Sequence, residues 1–152
     1  MATLRVLSPV GIELCEEPVH GVDALAELSE LTDVEVSMDE SAALPGALDH
    51  PACAAVSLKI SRCGGITGTL DAARRARAAG YEVYLASTLD GPLGIAAALH
   101  AAAAIRPDRA CGLATLSQFR NPPAVLATEQ GRLSPAPGAG LGDGLERWYR
   151  AS

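Results

Sequence analysis

Five short apolar stretches recur along the chain, each ending in polar or glycine-rich sequence and each followed by residues in helical spacing. They are Gly11 to Glu16 (GIELCE), Val34 to Asp39 (VEVSMD), Ala55 to Ile60 (AVSLKI), Glu82 to Ser87 (EVYLAS) and Ala110 to Ala114 (ACGLA), and each predicts a strand. With Glu16, Asp39, Lys59, Ser87 and Leu113 marking their C-terminal ends, the steps are 23, 20, 28 and 26 residues, the length of a strand-plus-helix unit. Between the strands, Val22, Leu25, Leu28 and Leu31 fall three apart on one helix face. Thr69 to Ala79 carries its arginines on one side and closes at Gly80, a natural helix stop. Gly94 to Ile105 is almost wholly apolar, which predicts a helix buried on more than one face. Repetition of this unit predicts a parallel sheet with right-handed crossovers. In such sheets, open or closed into a barrel, chemistry collects beyond the C-terminal ends of the strands. From Asn121 the sequence becomes rich in Pro and Gly and predicts an ordered coil or hairpin over the surface, followed by a short helix at Leu145 to Arg150.

Composition narrows the function classes. The 152 residues include 29 alanines and five aromatics, so the core is expected to be built from Ala, Leu, Val and Ile. With 12 basic against 18 acidic side chains the net charge is -6, and there is one lysine. A nucleic-acid surface needs clustered cations and usually stacking platforms, and neither is present. At 49% hydrophobic and 20% charged residues, the chain reads as globular, not disordered. The apolar run from Ile95 to Ile105 is broken by His100 and is shorter than the roughly 18 residues of a membrane span, and the N-terminal sequence lacks the apolar core of a signal peptide. A soluble, cytoplasmic protein is expected. Cys15, Cys53, Cys63 and Cys111 form no CxxC pair, which predicts buried free thiols and neither a metal site nor a disulfide framework.

The first three strand ends present Glu16, Asp39 and Lys59. Two carboxylates from successive parallel strands suit a hard divalent cation such as magnesium, which takes oxygen ligands and keeps waters. They equally suit capping of the helices that follow, where the dipole favours negative charge. Lys59 stands alone in a chain that otherwise uses arginine for every cation. Unlike arginine, a lysine can release its proton near neutrality when its surroundings tune it, which suits acid/base work. Gly64 and Gly65 read better as a tight turn than as a phosphate cradle, because no GxxxxGK[ST] or GxGxxG pattern is present. Ser87 and Thr88 either offer hydroxyl and backbone donors to an anionic substrate group or cap the next helix. His20, His50 and His100 lie on a loop, near a proline and inside an alanine-rich helix, none placed like a catalytic base.

The segments LCEEP (14–18), SMDES (37–41), VSLKISRCGGIT (56–67), YLASTLDGPLGIAAALHAAAA (84–104) and PAPGAGLG (135–142) together resemble the C-terminal barrel of the enolase superfamily, within its muconate-lactonizing subgroup. The resemblance covers nearly the whole chain. It implies a partial (β/α) barrel of about five βα units, strands four to eight, over residues 1–120, with residues 121–152 as a tail packing on the same domain. It implies Glu16 and Asp39 as two of three magnesium ligands, with manganese as the alternative ion, Glu40 as their supporting carboxylate, and Lys59 as the acid/base or charge-stabilising lysine. Ser87, Thr88, Gly112 and Leu113 would line the substrate. Such enzymes remove a proton next to a carboxylate while the metal stabilises the resulting enediolate.

The seventh strand end lacks a histidine, and the eighth strand, CGLAT, lacks both Asp-x-Asp and Glu. STLDGPLGIAAALHAAAA followed by ACGLAT is similar to o-succinylbenzoate synthases of the actinobacterial type, lyases of menaquinone synthesis. An N-acyl amino acid racemase or muconate cycloisomerase fragment, or a non-catalytic remnant or scaffold subunit, is the alternative. A complete barrel takes about 250 residues. The resemblance therefore implies that the cap, three strands, the third metal carboxylate and a Lys-x-Lys pair, whose second lysine is the usual proton-transfer residue of o-succinylbenzoate synthases, come from a second polypeptide, that the chain self-associates to cover its open edge, or that the natural chain starts further upstream.

Overall fold

The computed structural model describes Leu4 and residues 8–150. It is an α/β fold with a four-stranded parallel sheet, β1 (Leu14–Glu16), β2 (Glu35–Met38), β3 (Ala55–Leu58) and β4 (Glu82–Leu85), in the order β1-β2-β3-β4. Between and after the strands run α1 (Val22–Glu30), α2 (Ile66–Ala79), α3 (Pro92–Ile105) and α4 (Glu146–Arg150). The backbone groups into two compact units. One holds the residues up to Leu58 with Asp71–Tyr84, and the other holds Lys59–Leu70 with the residues from Leu85 onward.

In the first unit the register is fixed by Glu16 opposite Ser37 and Ser37 opposite Ala55. Side chains alternate across a strand, so Val36, Met38, Val56, Leu58 and Val83 fall on one face. All are buried, as are Leu25 and Leu28 of α1, which lies against β2. Each such side chain stabilises the fold by about 1.5–3 kcal/mol. The other face carries Glu16, Ser37, Ser57 and Tyr84. A parallel sheet usually buries apolar residues on both faces; this one reserves a face for polar groups. Tyr81 fixes the connection into β3: its hydroxyl lies 2.7 Å from the His50 carbonyl and 3.0 Å from that of Ala47, and it accepts the Ala52 N–H at 2.9 Å.

Several element ends differ from the sequence expectation, each for a local reason. β3 stops at Leu58, two residues early, because the carbonyls of Lys59 and Ile60 turn to accept the N–H groups of Cys63 and Gly65, both at 2.9 Å. α2 starts at Ile66 and not at Thr69, directly after the turn at Gly64 and Gly65, whose φ angles are 78° and 99°. Its stop at Gly80 is as expected: φ is 99°, and the N–H groups of Gly80 and Tyr81 return to the carbonyls of Arg77 and Ala76.

In the second unit the expected fifth strand shrinks to one bridge, Ala86 to Gly112. Ser87 N–H donates to Gly112 O and Gly112 N–H to Leu85 O, after which a 3-10 turn at Ala114–Gln118 takes the backbone out of register. α3 begins with Pro92 after Gly91, and its buried Ile95, Ala96, Ala98, Leu99, Ala101 and Ile105 cover more than one face, as its composition predicted, with Ala103 and Ala104 exposed. The tail forms a 3-10 turn at Ala124–Leu126, a small hairpin closed by Glu129 and Arg132, and α4.

All four cysteines are free and half-buried, not fully buried as expected. Burial pushes the Cys53 thiol up to about 11 and raises those of Cys63 and Cys111. Among the described residues no helix is long and apolar enough to cross a membrane.

Candidate functional site

Glu16 is the last residue of β1, and its side chain is exposed. Asp39 follows the last residue of β2 and is half-buried, with its Oδ1 shielded from solvent. Because Glu16 pairs with Ser37, the two acids leave neighbouring strands at the same end of the first unit's sheet. Neither acid makes a side-chain capping hydrogen bond: the N-cap of α1 is Gly21, and Asp39 occupies the N-cap position of the 3-10 turn Glu40–Ala43 without such a bond.

The holding role falls to Glu17. Its carboxylate accepts the Asp39 N–H at 2.7 Å, the Ser41 N–H at 3.2 Å and the Ser41 hydroxyl, and lies 3.0 Å from His20 Nδ1. Ser41 Oγ in turn accepts the Gly21 N–H at 2.7 Å, so the loop after β1 and the turn after β2 are tied together twice. Glu40, expected to support the ligands, is exposed on the first residue of that turn. The adjacent pair EE thus divides its work. Glu17 is engaged by backbone, and Glu16 remains exposed on the polar face.

On that face Ser37 Oγ and Tyr84 Oη are 2.8 Å apart, both buried, reaching from β2 to β4 with Ser57 of β3 also beside the phenol. Burial pushes the phenol up to about 12. The hydrogen bond to Ser37 works against that rise, and the negative charge of Glu16 adds to it. Sequence reasoning missed Tyr84, Glu17 and His20 as members of this cluster. The alternation within EVYLAS, which places Tyr84 on a face opposite Val83, was the available signal for Tyr84.

Among the described residues no group of three or more His, Cys, Asp or Glu side chains could hold a metal ion. Glu16 and Asp39 nevertheless fit a hard cation as a partial set: both are oxygen donors, and they end adjacent strands.

The second unit holds the remaining candidates. Lys59 is half-buried, immediately after β3. Ser61 Oγ lies 3.1 Å from Thr88 Oγ1. Ser87 and Thr88 sit in a turn closed by Asp90, whose carboxylate accepts the Ser87 hydroxyl at 3.3 Å, the Thr88 N–H at 3.1 Å and the Thr88 hydroxyl at 3.2 Å. Ser87 Oγ also accepts from Asp90 N–H at 2.8 Å and from Thr115 Oγ1 at 3.1 Å. Neither residue caps α3 through its side chain, since the N-cap is Gly91. Gly112 is exposed at its bridge, and Leu113 is buried, lining a cavity of about 290 Å³ with Leu116, Pro123 and Leu126. Gly64 and Gly65 form the tight turn: Gly65 O accepts both the N–H and the hydroxyl of Thr69, at 3.0 and 2.8 Å.

The family described as "Enolase C-terminal domain-like" matches residues 1–147. The chain is 41% identical over 113 residues to the o-succinylbenzoate synthase of Mycobacterium tuberculosis, an alignment covering 71% of this chain and 34% of that protein. It is 38% identical over 100 residues to muconate cycloisomerase 1 of Rhodococcus opacus, covering 62% of this chain and 27% of the relative. Among solved structures, a dipeptide epimerase from Cytophaga hutchinsonii, complexed with Mg and the dipeptide D-Ala-L-Val, superposes with a TM-score of 0.82 at 29% identity, over 93% of this chain and 41% of that one. The chain therefore spans about a third or less of the length of these curated relatives.

Proposed function

This chain belongs to the enolase C-terminal domain-like family, and from that premise we propose that it is the metal-binding portion of an o-succinylbenzoate synthase-like lyase of menaquinone synthesis. In this reading it works in the cytoplasm with a polypeptide that supplies the cap and the first three strands. The observation that carries the reading is the pair Glu16 and Asp39, ending adjacent parallel strands with neither side chain spent on helix capping. Identity to the mycobacterial o-succinylbenzoate synthase over 71% of the chain supports the choice of reaction.

Glu16 and Asp39 would hold a magnesium ion, or manganese, together with ligands from outside the described residues. When bound, that ion supplies positive charge to a carboxylate substrate. Lys59, through its Nζ, would take the proton or steady the resulting enediolate by its charge. In the dehydration the C–H bond next to the substrate carboxylate breaks and its electron pair becomes a new C=C bond, while the C–O bond to the hydroxyl breaks and that oxygen, taking up the proton released from carbon, leaves as water. A lysine can take or hold the proton in such a step, which arginine cannot. Glu40 supports the ligand set, and the turn of Ser87 and Thr88 with Gly112 and Leu113 bounds the substrate.

The test is magnesium-dependent dehydration of the cyclohexadiene carboxylate, assayed with this chain alone and with a polypeptide carrying the cap and first three strands. Activity is expected with the completed pair. Lys59→Ala and Asp39→Asn are each expected to abolish it, by about 10²-fold or more for a lost acid/base group. Turnover that survives both substitutions would refute these roles, and absence of activity and metal binding in every combination would favour a non-catalytic remnant.

A further inference from the structure

We propose that Glu17 is a positioning residue for Asp39: by holding the backbone from which that carboxylate projects, it sets the affinity of this end of the sheet for a divalent cation. The inference rests on the reading of Asp39 as a metal ligand.

An ionised carboxylate offers about four acceptor positions. The Glu17 carboxylate uses them on the Asp39 N–H, the Ser41 N–H, the Ser41 hydroxyl and His20. Three of those partners belong to residues 39–41, which lie 22 to 24 positions away in sequence. The contact is therefore tertiary, joining the end of β1 to the end of β2. The Glu17 side chain is 13% exposed, so these charge-assisted bonds are largely shielded from water.

The backbone at both residues requires such support. Asp39 has left the strand conformation, at φ -118° and ψ -91°, and the hydrogen bond from its own N–H to Glu17 Oε2 fixes it where it turns. Glu17 itself sits at φ 42°, a left-handed conformation disfavoured for a residue with a Cβ. That bend separates the two glutamates. Partners that orient a ligand without touching the metal typically change metal affinity by about 10- to 100-fold when removed.

The distinguishing substitutions follow from these contacts. Glu17→Gln keeps an oxygen for the Asp39 N–H, the bond that fixes Asp39, and its amide can donate to Ser41 Oγ and His20 Nδ1, while the bond from the Ser41 N–H is lost. Glu17→Ala removes every contact. Glu17→Asp keeps the charge but withdraws it by one methylene, and serves where the alanine variant does not fold.

The experiment is titration of the 152-residue chain with Mn²⁺, followed by the electron-spin-resonance signal of the free ion, with amide hydrogen exchange at Asp39 and Ser41 measured without metal. The parent chain is expected to bind and Asp39→Asn to lose binding. Glu17→Ala or Glu17→Asp should bind about tenfold or more weakly with faster exchange at both amides, and Glu17→Gln should restore affinity close to the parent's. Unchanged affinity in Glu17→Ala and Glu17→Asp overturns the proposal, as does Glu17→Gln binding as weakly as Glu17→Ala. A parent chain that binds no Mn²⁺ overturns this proposal for the chain as it stands, and the metal reading fails with it only if the chain completed by the cap and first three strands also binds none; faster exchange in the variants would then show that the Glu17 contact holds the loop for another purpose.

Discussion

At the end of β1 the carboxylate of Glu17 reaches across to the backbone of Asp39 and Ser41, whereas after β4 the carboxylate of Asp90 bonds back into its own turn, to Ser87 and Thr88. Both turns hold a non-glycine residue in the left-handed region, Glu17 at φ 42° and Leu89 at φ 63°. The long-range arrangement engages the backbone of Asp39, and Glu16, beside Glu17, is exposed. The local arrangement engages its own hydroxyls, since Ser87 and Thr88 both hydrogen-bond within the turn and also to Thr115 and Ser61. A strand end can thus be stiffened from a neighbouring strand, chiefly through backbone N–H groups, or from within, through its own hydroxyls.

The largest expected effect tests that contrast. Glu17→Ala strands the N–H groups of Asp39 and Ser41 and the Ser41 hydroxyl in a part-buried setting, and a buried donor left unsatisfied costs about 1–3 kcal/mol. A loss of about 2–3 kcal/mol in urea unfolding is expected. Asp90→Ala removes a similar number of bonds, but several of them are at exposed Thr88, where water can replace them. Its expected cost is about 1 kcal/mol. Equal losses in the two variants would break the comparison.

The same contrast explains what the sequence could disclose. The parallel strands, the βα period and the glycine stop of α2 depend on spacing along the chain and are present in the structure, whereas of the apolar face expected for α1 only Leu25 and Leu28 are buried, and Leu31 lies past the helix end, 55% exposed. Glu16 and Asp39 were visible because each ends a strand. Glu17 was hidden beside its twin: nothing local separates two adjacent glutamates, and their roles part only when Asp39 and Ser41 arrive from more than twenty residues away. Ala110 to Ala114 carried a strand-like pattern but made a single bridge, because its two hydrogen bonds were followed at once by a 3-10 turn. After β4, Ser87 and Thr88 were legible as polar residues closing a strand, while their engagement by Asp90 and the left-handed Leu89 just before it were not.

A second, smaller effect concerns the polar face beside Glu16. The Tyr84 phenol is raised from 10.0 in the unfolded chain to about 12 in the fold. Between those values the folded protein keeps a proton that the unfolded chain releases. This contribution to stability is therefore fully present below pH 10 and lost as pH rises toward 12. Tyr84→Phe removes the titrating group along with the bond to Ser37, at a cost of about 1 kcal/mol near neutrality. Urea midpoints measured from pH 8 to 12 should fall more steeply for the parent than for Tyr84→Phe, so that the two curves converge. Parallel curves would mean that the phenol is not held protonated beside Glu16.

The smallest effect carries the comparison to the backbone alone. Leu89 is 57% exposed, so its side chain adds little burial, and its left-handed conformation costs about 1–2 kcal/mol for a residue with a Cβ. Glycine removes that cost but loses about 0.5–1 kcal/mol to the greater freedom of the unfolded chain. Leu89→Gly is therefore expected to stabilise by about 0.5 kcal/mol. At Glu17 the same replacement relieves the same backbone strain while deleting the contacts to Asp39, Ser41 and His20, so Glu17→Gly should destabilise. Opposite signs at two positions that share a conformation would show that the left-handed residue after β1 is kept for its carboxylate. Matching signs would mean that backbone strain alone governs both turns.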